Sequence, residues 1–264
     1  MISNCGHDEN GKYYGGRAGD QTGGEWEIRE WYNRPWNYVL RHPDLHVRSE
    51  IALLAERAAR NNLIGYDQNQ RYTFWRQLKI SNYDPAQITV SCETDCSAGV
   101  LAIVKSVGYR LDIDDLKSVN SDGYTGNMRP ILKSAGFEVL TASKYLTSDD
   151  YLLTGDILLY EGHHTAINLT DGSSVSSVSE SVNSITTEGV SFMRNLVKGD
   201  KGYGEIATLQ RCLKSMGYYS GDIDHSFGGG TEAAVKAFQK DKGIQVNYPG
   251  TVGPKTWTVL LTQC

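Results

Sequence analysis

The chain has 264 residues, of which 39% are hydrophobic and 22% charged, and its net charge is -5. This composition is typical of a globular protein with a substantial core and excludes a disordered chain. The acidic balance gives no indication of nucleic-acid binding, and no apolar run approaches the roughly 18 residues that a membrane-spanning helix needs. We therefore expect no nucleic-acid partner and no stable membrane association.

The N-terminus, MISNCGHDENGKYYGG, has neither a basic start nor an apolar stretch. It is unlike a secretory signal peptide, so we expect synthesis in a cytoplasm. The chain has five cysteines, an odd number. Because reducing compartments keep thiols free, we do not expect a disulfide framework.

Residues 1–48 are rich in glycine and aromatic residues. The aromatic side chains cluster in the second half of this segment, at Trp26, Trp31, Tyr32, Trp36 and Tyr38. We predict that they either cap a sheet or line a groove that binds glycan.

Residues 49 to about 172 alternate helical and strand patterns. The stretch SEIALLAERAARNNLIG is amphipathic with Ser49 as a suitable N-cap, and CSAGVLAIVKSVG is a mostly apolar helix that should stop at Gly108. NMRPILKSAG predicts a short third helix that ends at Gly136. GDILLYEG and HTAINLTDG are apolar runs bounded by turn residues, which predicts strands. Helices followed by strands indicate an α+β domain with helices packed on an antiparallel sheet.

The serine-rich stretch DGSSVSSVSESVNSITTEG is compatible with a linker or with short surface strands. Three helices are predicted after it, over Gly204–Met216, from Thr231 to before Gly243, and from Thr256 onward. FGGGT and VGPKT each form a turn that delivers a threonine N-cap, which indicates a weak internal duplication.

The C-terminal pattern is LQRCLKSMGYYSGDIDHSFGGGTEAAVKAFQKDKGI followed by GTVGPKTW. It resembles the small three-helix peptidoglycan-binding domain of bacterial and phage wall hydrolases. We therefore expect a catalytic domain over 1–185, a linker over 186–196 and a peptidoglycan-binding domain over 197–264. The resemblance implies bacterial peptidoglycan as the partner.

Cys92 and Cys96 lie four positions apart in CETDCSAGV. A structural zinc site would need two further ligands, and only His163 and His164 form a pair. Adjacent residues on a strand point to opposite faces, so these two histidines cannot easily share one metal, and we expect none. A disulfide between Cys92 and Cys96 would close a short, strained loop in a reducing compartment.

The third interpretation makes Cys96 a nucleophile. Cys96 stands where a polar segment turns into a helix, so unpaired backbone N–H groups and the helix dipole should lower the pKa of its thiol. The same N–H groups are suited to an oxyanion hole. His164, which begins a strand after a glycine turn, is the candidate base.

TDCSAGV followed by GDILLYEGHHTAINL resembles the NlpC-like branch of papain-like cysteine peptidases, and the CHAP amidases share this layout. The resemblance covers roughly residues 50 to 180. It implies a papain-like catalytic domain without a cofactor, with Cys96 as nucleophile and His164 as base. By the same resemblance, Asp95 and Ser97 would hold the substrate's peptide stem.

Two positions depart from this family. Ala98 stands where the family has glycine. The residue that orients the base should lie on the following strand, and that position is Ser176, whose hydroxyl is a weaker orienter than His, Asn or Asp. A backbone carbonyl is the alternative. Asn168 lies roughly 13 Å along an extended strand from His164, too far to contact its ring.

A wall-binding module behind a cysteine amide hydrolase is typical of phage or prophage endolysins. The resemblance implies a protein that waits in the host cytoplasm and reaches the wall after a holin opens the membrane. The expected reaction is cleavage of the bond between D-Glu and the diamino acid of the stem peptide. The alternatives are N-acetylmuramoyl-L-alanine amidase activity and a non-catalytic wall-binding or virion structural protein.

Overall fold

A computed structural model describes residues 1–175, 193, 195–202, 204–246 and 248–263. The chain divides into two compact units, Met1–Val178 and Ser179–Cys264. Most of the predicted linker over 186–196 and most of the serine-rich stretch lie outside the described residues. Within the described part, no helix is long and apolar enough to cross a membrane.

The first unit contains a six-stranded sheet in which every neighbouring pair is antiparallel. In chain order its strands are β1 (Ile2–Cys5), β2 (Trp26–Arg29), β3 (Tyr38–Arg41), β6 (Glu138–Leu140), β7 (Ile157–Tyr160) and β8 (His164–Asn168). Their spatial order is β2-β1-β8-β7-β3-β6. The remaining strands, β4 (Ile64–Tyr66) and β5 (Cys92–Thr94), form a separate parallel pair.

The N-terminal segment is part of this sheet. β1 pairs with both β2 and β8, with Ser3 opposite Ile167 on the β8 side. Three strands therefore precede the first helix. Within residues 49–172, β4 and β5 lie between helices, so the predicted order of helices before strands is wrong. All four residues of β1 are buried, and so short a strand leaves too little alternation to be detected from sequence.

The helices of the first unit include α1 (Leu45–Ala59), α2 (Thr73–Ile80), α3 (Cys96–Leu111), α4 (Asp114–Lys117), α5 (Met128–Ser134) and α6 (Ser143–Leu146). Helices packed on an antiparallel sheet agree with the predicted α+β class. α1 begins four residues earlier than predicted, so Ser49 lies inside the helix and is not its N-cap.

α3 continues past Gly108 to a left-handed cap at Asp112. Gly108 has a different role from the predicted helix stop. A Cβ atom there would lie 2.4 Å from the backbone nitrogen of Lys117, so glycine permits the close packing of α3 and α4.

The second unit has the three predicted helices, here α7 (Gly204–Ser215), α8 (Gly229–Asp241) and α9 (Pro254–Gln263). They enclose a core of their own that includes Phe227, Phe238 and Trp257.

The duplication in the second unit has a different basis from the predicted threonine caps. α8 and α9 begin two residues before Thr231 and Thr256. Each threonine hydroxyl accepts from a buried glutamine of the preceding helix, Gln210 at 3.2 Å and Gln239 at 2.9 Å. A buried side-chain amide needs such partners, which explains the repeated spacing.

Candidate functional site

Cys96 is the first residue of α3, and Asp95 fixes the start of that helix. Asp95 Oδ1 accepts the backbone N–H of Ala98 at 2.7 Å and the hydroxyl of Ser97 at 2.8 Å. The Nε atom of Arg71 lies 2.9 Å from Asp95 Oδ2, and its Nη2 donates to Ser97 Oγ at 3.0 Å. Asp95 and Ser97 are thus buried and bonded within the protein, and the predicted contact with substrate stays a prediction.

Cys96 is buried, with 8% of the residue exposed. Burial, and next the charge of Asp95, raise its pKa to about 12, against the lowering effect of the backbone N–H groups of Thr165 and Ser97. The predicted lowering of this pKa is therefore wrong in sign, because loss of hydration outweighs the helix terminus. The Cys96 sulfur accepts the backbone N–H of Thr165, the residue that follows His164 in β8. The sulfur therefore lies next to the strand that carries His164.

His164 opens β8, opposite Tyr160 of β7, and is 5% exposed. Its Nε2 lies 2.8 Å from Asn4 Oδ1, which can only accept. The proton therefore lies on Nε2, and Nδ1 is the nitrogen with a free lone pair. Burial, and next the charge of Arg34, lower the pKa of His164 to about 3, so the ring is neutral at physiological pH.

Asn4, in β1, occupies the position that the sequence left open. It lies 160 residues from His164 in the chain, but β1 is the strand next to β8. Its Oδ1 also accepts from Tyr32 Oη at 3.2 Å, and Tyr32 in turn accepts from Arg34 Nη1 at 3.0 Å. Ser176, the predicted orienter, lies outside the described residues.

A cleft of about 480 Å³ opens onto these residues. Asn4, Cys96 and His164 all line it, so the structure brings the two predicted catalytic residues together. His163 also lines the cleft and stacks on Tyr160 with ring centroids 4.2 Å apart. The N-terminal segment supplies much of the rest of the wall: Gly6, His7, Gly11, Tyr13, Gly24, Glu27, Arg29, Tyr32 and Arg34.

The aromatic residues of the N-terminal segment divide between core and cleft. Trp26 is buried, donates to Ser3 Oγ at 2.8 Å and packs edge-on against Phe74. Trp36 is buried with its ring centroid 6.2 Å from that of His164. Tyr32 lines the cleft. The segment therefore contributes both to the core and to the cleft wall.

Residues 2–175 match the family model of the endolysin-like domain, which is more than half of the chain. The chain belongs to the endolysin-like domain family. Residues 203–260 match the family model of a peptidoglycan-binding domain, in agreement with the resemblance of the C-terminal pattern.

Two relatives match smaller parts of the chain. The spore cortex-lytic enzyme of Bacillus subtilis (strain 168) is 39% identical over 79 residues, which cover 29% of this chain and 25% of that enzyme. This endolysin-like chain thus spans a quarter of the length of that relative. A structure titled "The crystal structure of SleB N-terminal domain" is 35% identical and covers 26% of this chain and 90% of its own, with a TM-score of 0.24.

Tyr66 is a residue of the endolysin-like domain that the sequence did not single out. It ends β4, is 3% exposed and lines the cleft beside Cys96. Its hydroxyl accepts from Gln68 Nε2 at 3.2 Å. Burial, and next the charge of Cys96, raise its pKa, so Tyr66 keeps its proton as a hydrogen-bond donor.

The other cysteines that the structure describes do not line the cleft. Cys5 and Cys92 are buried free thiols outside the cleft lining, and burial raises the pKa of both. Cys212 is disulfide-bonded, so the expectation of free thiols is wrong for this residue. Sequence spacing does not show which cysteines meet in the fold. In the part of the chain that the structure describes, no group of three His, Cys, Asp or Glu side chains is arranged to hold a metal.

Proposed function

We propose that this protein is a peptidoglycan hydrolase that cleaves an amide bond of the stem peptide with Cys96 as nucleophile and His164 as base. The observation that carries the proposal is the hydrogen bond from His164 Nε2 to Asn4 at the edge of a cleft that Cys96 also lines. A nucleophile, a base and a group that orients the base are the parts that this chemistry needs.

In the proposed reaction, the sulfur of Cys96 attacks the amide carbonyl while His164 Nδ1 takes the thiol proton. The C–N bond then breaks as the imidazolium gives this proton to the leaving amine. A water molecule, deprotonated by the same nitrogen, attacks the thioester and releases the acid and the free thiol. Asn4 keeps Nε2 protonated and the ring in place through all steps.

The resting state in this mechanism is a thiol beside a neutral imidazole. The raised pKa of Cys96 and the lowered pKa of His164 both favour this state over a preformed ion pair. Proton transfer therefore accompanies attack on the carbonyl. Asp95 and Ser97 act as positioning residues, since they hold the helix start that carries Cys96.

Developing charge on the carbonyl oxygen needs hydrogen-bond donors that are already oriented. We assign this role to the phenol of Tyr66 and to the backbone N–H of Cys96, since the N–H groups of Ser97 and Ala98 are bonded to the Cys96 sulfur and to Asp95. Removing one donor of this kind costs about 10²–10³ in kcat in well-studied hydrolases.

The proposed bond is that between D-Glu and the diamino acid, on the resemblance of TDCSAGV and GDILLYEGHHTAINL to the NlpC-like peptidases. The same resemblance supports the papain-like assignment of the fold. The combination of a cysteine amide hydrolase with a wall-binding module supports a bacteriophage origin with release through a holin. The match of residues 203–260 supports a role for the second unit in holding the wall. Residues 195–264 contain 8 Lys and Arg against 6 Asp and Glu, a sign that suits an anionic wall.

The test is clearing of purified bacterial sacculi, followed by mass spectrometry of the released fragments. The native protein should clear the sacculi and release a new amine on the diamino acid, whereas Cys96→Ala should not clear them. Cys92→Ala is the matched control, because Cys92 is a buried thiol outside the cleft lining.

Three other outcomes decide between the alternatives. A new amine on L-Ala would assign the amidase reaction instead. Equal clearing by the native protein and Cys96→Ala would refute the nucleophile. Wall binding without any clearing would support a non-catalytic wall-binding or virion structural protein.

A further inference from the structure

Arg34 is a half-buried arginine in the wall of the cleft. Its Nη1 donates to Tyr32 Oη at 3.0 Å. Among the described residues it has no carboxylate within ion-pair distance, whereas Arg29, also in the cleft wall, lies 3.0 Å from Glu27. Arg71 and Arg129 are likewise paired, with Asp95 and Glu161. Arg34 therefore presents an uncompensated positive charge to the cleft.

This charge lies close to the proposed base. After burial, Arg34 is the group that lowers the pKa of His164. Acylation requires His164 to carry a second proton, and a neighbouring cation opposes that step. An anionic group of the substrate bound to Arg34 would neutralise this charge, so protonation of His164 would be easier while substrate is bound.

We infer that Arg34 binds a free carboxylate of the substrate beside the scissile amide. This inference rests on the proposed function and specifies its substrate class. A guanidinium is suited to a carboxylate, because its planar N–H groups can donate in pairs, and Nη2 and Nε remain for this purpose when Nη1 is bonded to Tyr32.

The chemistry of the stem peptide supplies such a carboxylate. A glutamyl residue linked through its γ-carboxyl keeps its α-carboxylate free, only a few bonds from the carbonyl that Cys96 would attack. When that group is amidated, the charge is lost and only a neutral amide faces Arg34. The inference thus predicts that the enzyme distinguishes acidic stem peptides from amidated ones.

The test uses two synthetic stem peptides that differ only in an α-carboxylate or an α-carboxamide on the γ-linked glutamyl residue. The full-length native protein should cleave the carboxylate peptide with a kcat/KM about tenfold or more higher, the range expected for one hydrogen-bonded charge. In Arg34→Gln, the ratio of the two kcat/KM values should fall towards one. Arg76→Gln, which alters an exposed arginine of α2 outside the cleft lining, is the matched control.

Equal cleavage of both peptides by the native protein would overturn the inference. So would an Arg34→Gln protein that loses the same factor on both peptides, because that result indicates only a structural role through Tyr32 and Asn4.

Calorimetry can measure the Kd of both peptides for two variants, Cys96→Ala and the double variant that also carries Arg34→Gln. These Kd values separate this inference from the proposed function. If the native protein cleaves neither peptide, the proposed function fails. A carboxylate preference in Kd that disappears with Arg34→Gln would then still support Arg34 as the carboxylate site, and equal Kd values for the two peptides would refute it.

Discussion

Asn4 is the residue on which the geometry of the site depends. Its Oδ1 holds His164 Nε2 at 2.8 Å and also accepts from Tyr32, and both Asn4 and His164 are almost fully buried. If the buried His164 ring loses this acceptor, its N–H group is left without a hydrogen bond, which is unfavourable. The ring can then rotate or change tautomer. The orientation of the base is therefore set by a strand at the far end of the sequence.

We expect Asn4→Ala to reduce kcat for stem-peptide cleavage by at least tenfold, up to the ~10²–10⁴ that general base catalysis contributes. Asn4→Asp retains an acceptor oxygen and should retain more activity than Asn4→Ala. Steady-state kinetics on a soluble peptide, with the unfolding midpoint of each variant, would check this. Wild-type kcat in a folded Asn4→Ala protein would remove Asn4 from the mechanism.

The raised pKa of Cys96 predicts how the reactivity of its thiol depends on pH. A thiol pKa raised to about 12 leaves little thiolate at neutral pH, and the fraction grows about tenfold per pH unit below that value. We expect the rate of Cys96 alkylation in the free protein to rise from pH 6 to pH 9 without a plateau. Peptide mapping by mass spectrometry identifies the modified residue.

Cys92 and Cys5 are internal references for this measurement, because both are buried free thiols that do not line the cleft, and they should react more slowly than Cys96. A plateau of the Cys96 rate below pH 7 would show a thiolate–imidazolium pair instead and would contradict the neutral resting state.

At the scale of elements, the N-terminus of α3 carries both the nucleophile and a buried ion pair. Asp95 serves as N-cap and as the partner of Arg71, with side-chain exposures of 8% and 14%. Arg71 also donates to Ser97 and to the backbone oxygen of Gly123. Loss of Asp95 would therefore leave the guanidinium partly satisfied.

Asp95→Ala should lower the free energy of unfolding by about 2–4 kcal/mol, from a lost cap and a buried guanidinium without its carboxylate. Asp95→Asn keeps an oxygen for the N–H of Ala98 and should cost less. Urea unfolding of the full-length variants measures both values. If Asp95→Ala is as stable as the native protein, the cap and the ion pair do not hold the helix start.

The parallel strands β4 and β5 show a second dependence between elements. A Cβ atom on Gly65 would lie 2.6 Å from the carbonyl carbon of Gly19. The loop between β1 and β2, which contains Gly19, therefore passes directly over β4. Glu93 of β5 accepts the N–H of Gly19 at 2.6 Å. The loop that forms part of the cleft wall is thus fixed by backbone contacts that need a glycine at position 65.

At the scale of the whole molecule, the chain has two compact units. We propose that the first cleaves the substrate and that the second binds the wall. The residues that line the cleft belong to the first unit, and the second unit has a separate core. Attachment of one unit to the wall raises the local concentration of substrate for the other.

We expect a protein that ends at residue 178 to cleave soluble stem peptides at the native rate but to clear intact sacculi at least tenfold more slowly at low protein concentration. Circular dichroism would establish that the shortened protein is folded. Sacculus clearing equal to that of the full-length protein would show that the second unit contributes nothing to attack on the wall.

The sequence by itself determined the features that depend on neighbouring residues. The change from a polar segment to an apolar run located the start of α3 and the Cys96 position, the turn residues bounded β7 and β8, and the C-terminal pattern predicted α7, α8 and α9. These signals are local, since a helix or hairpin is specified within a few turns of its own chain.

Only the tertiary structure decided that β1 lies beside β8, which places Asn4 against His164 and makes residues 1–48 part of the site. It also decided the sign of the pKa changes at Cys96 and His164. The order of strands in a sheet depends on burial of whole faces, and desolvation depends on every element packed around a group, so neither can be predicted from spacing along the chain.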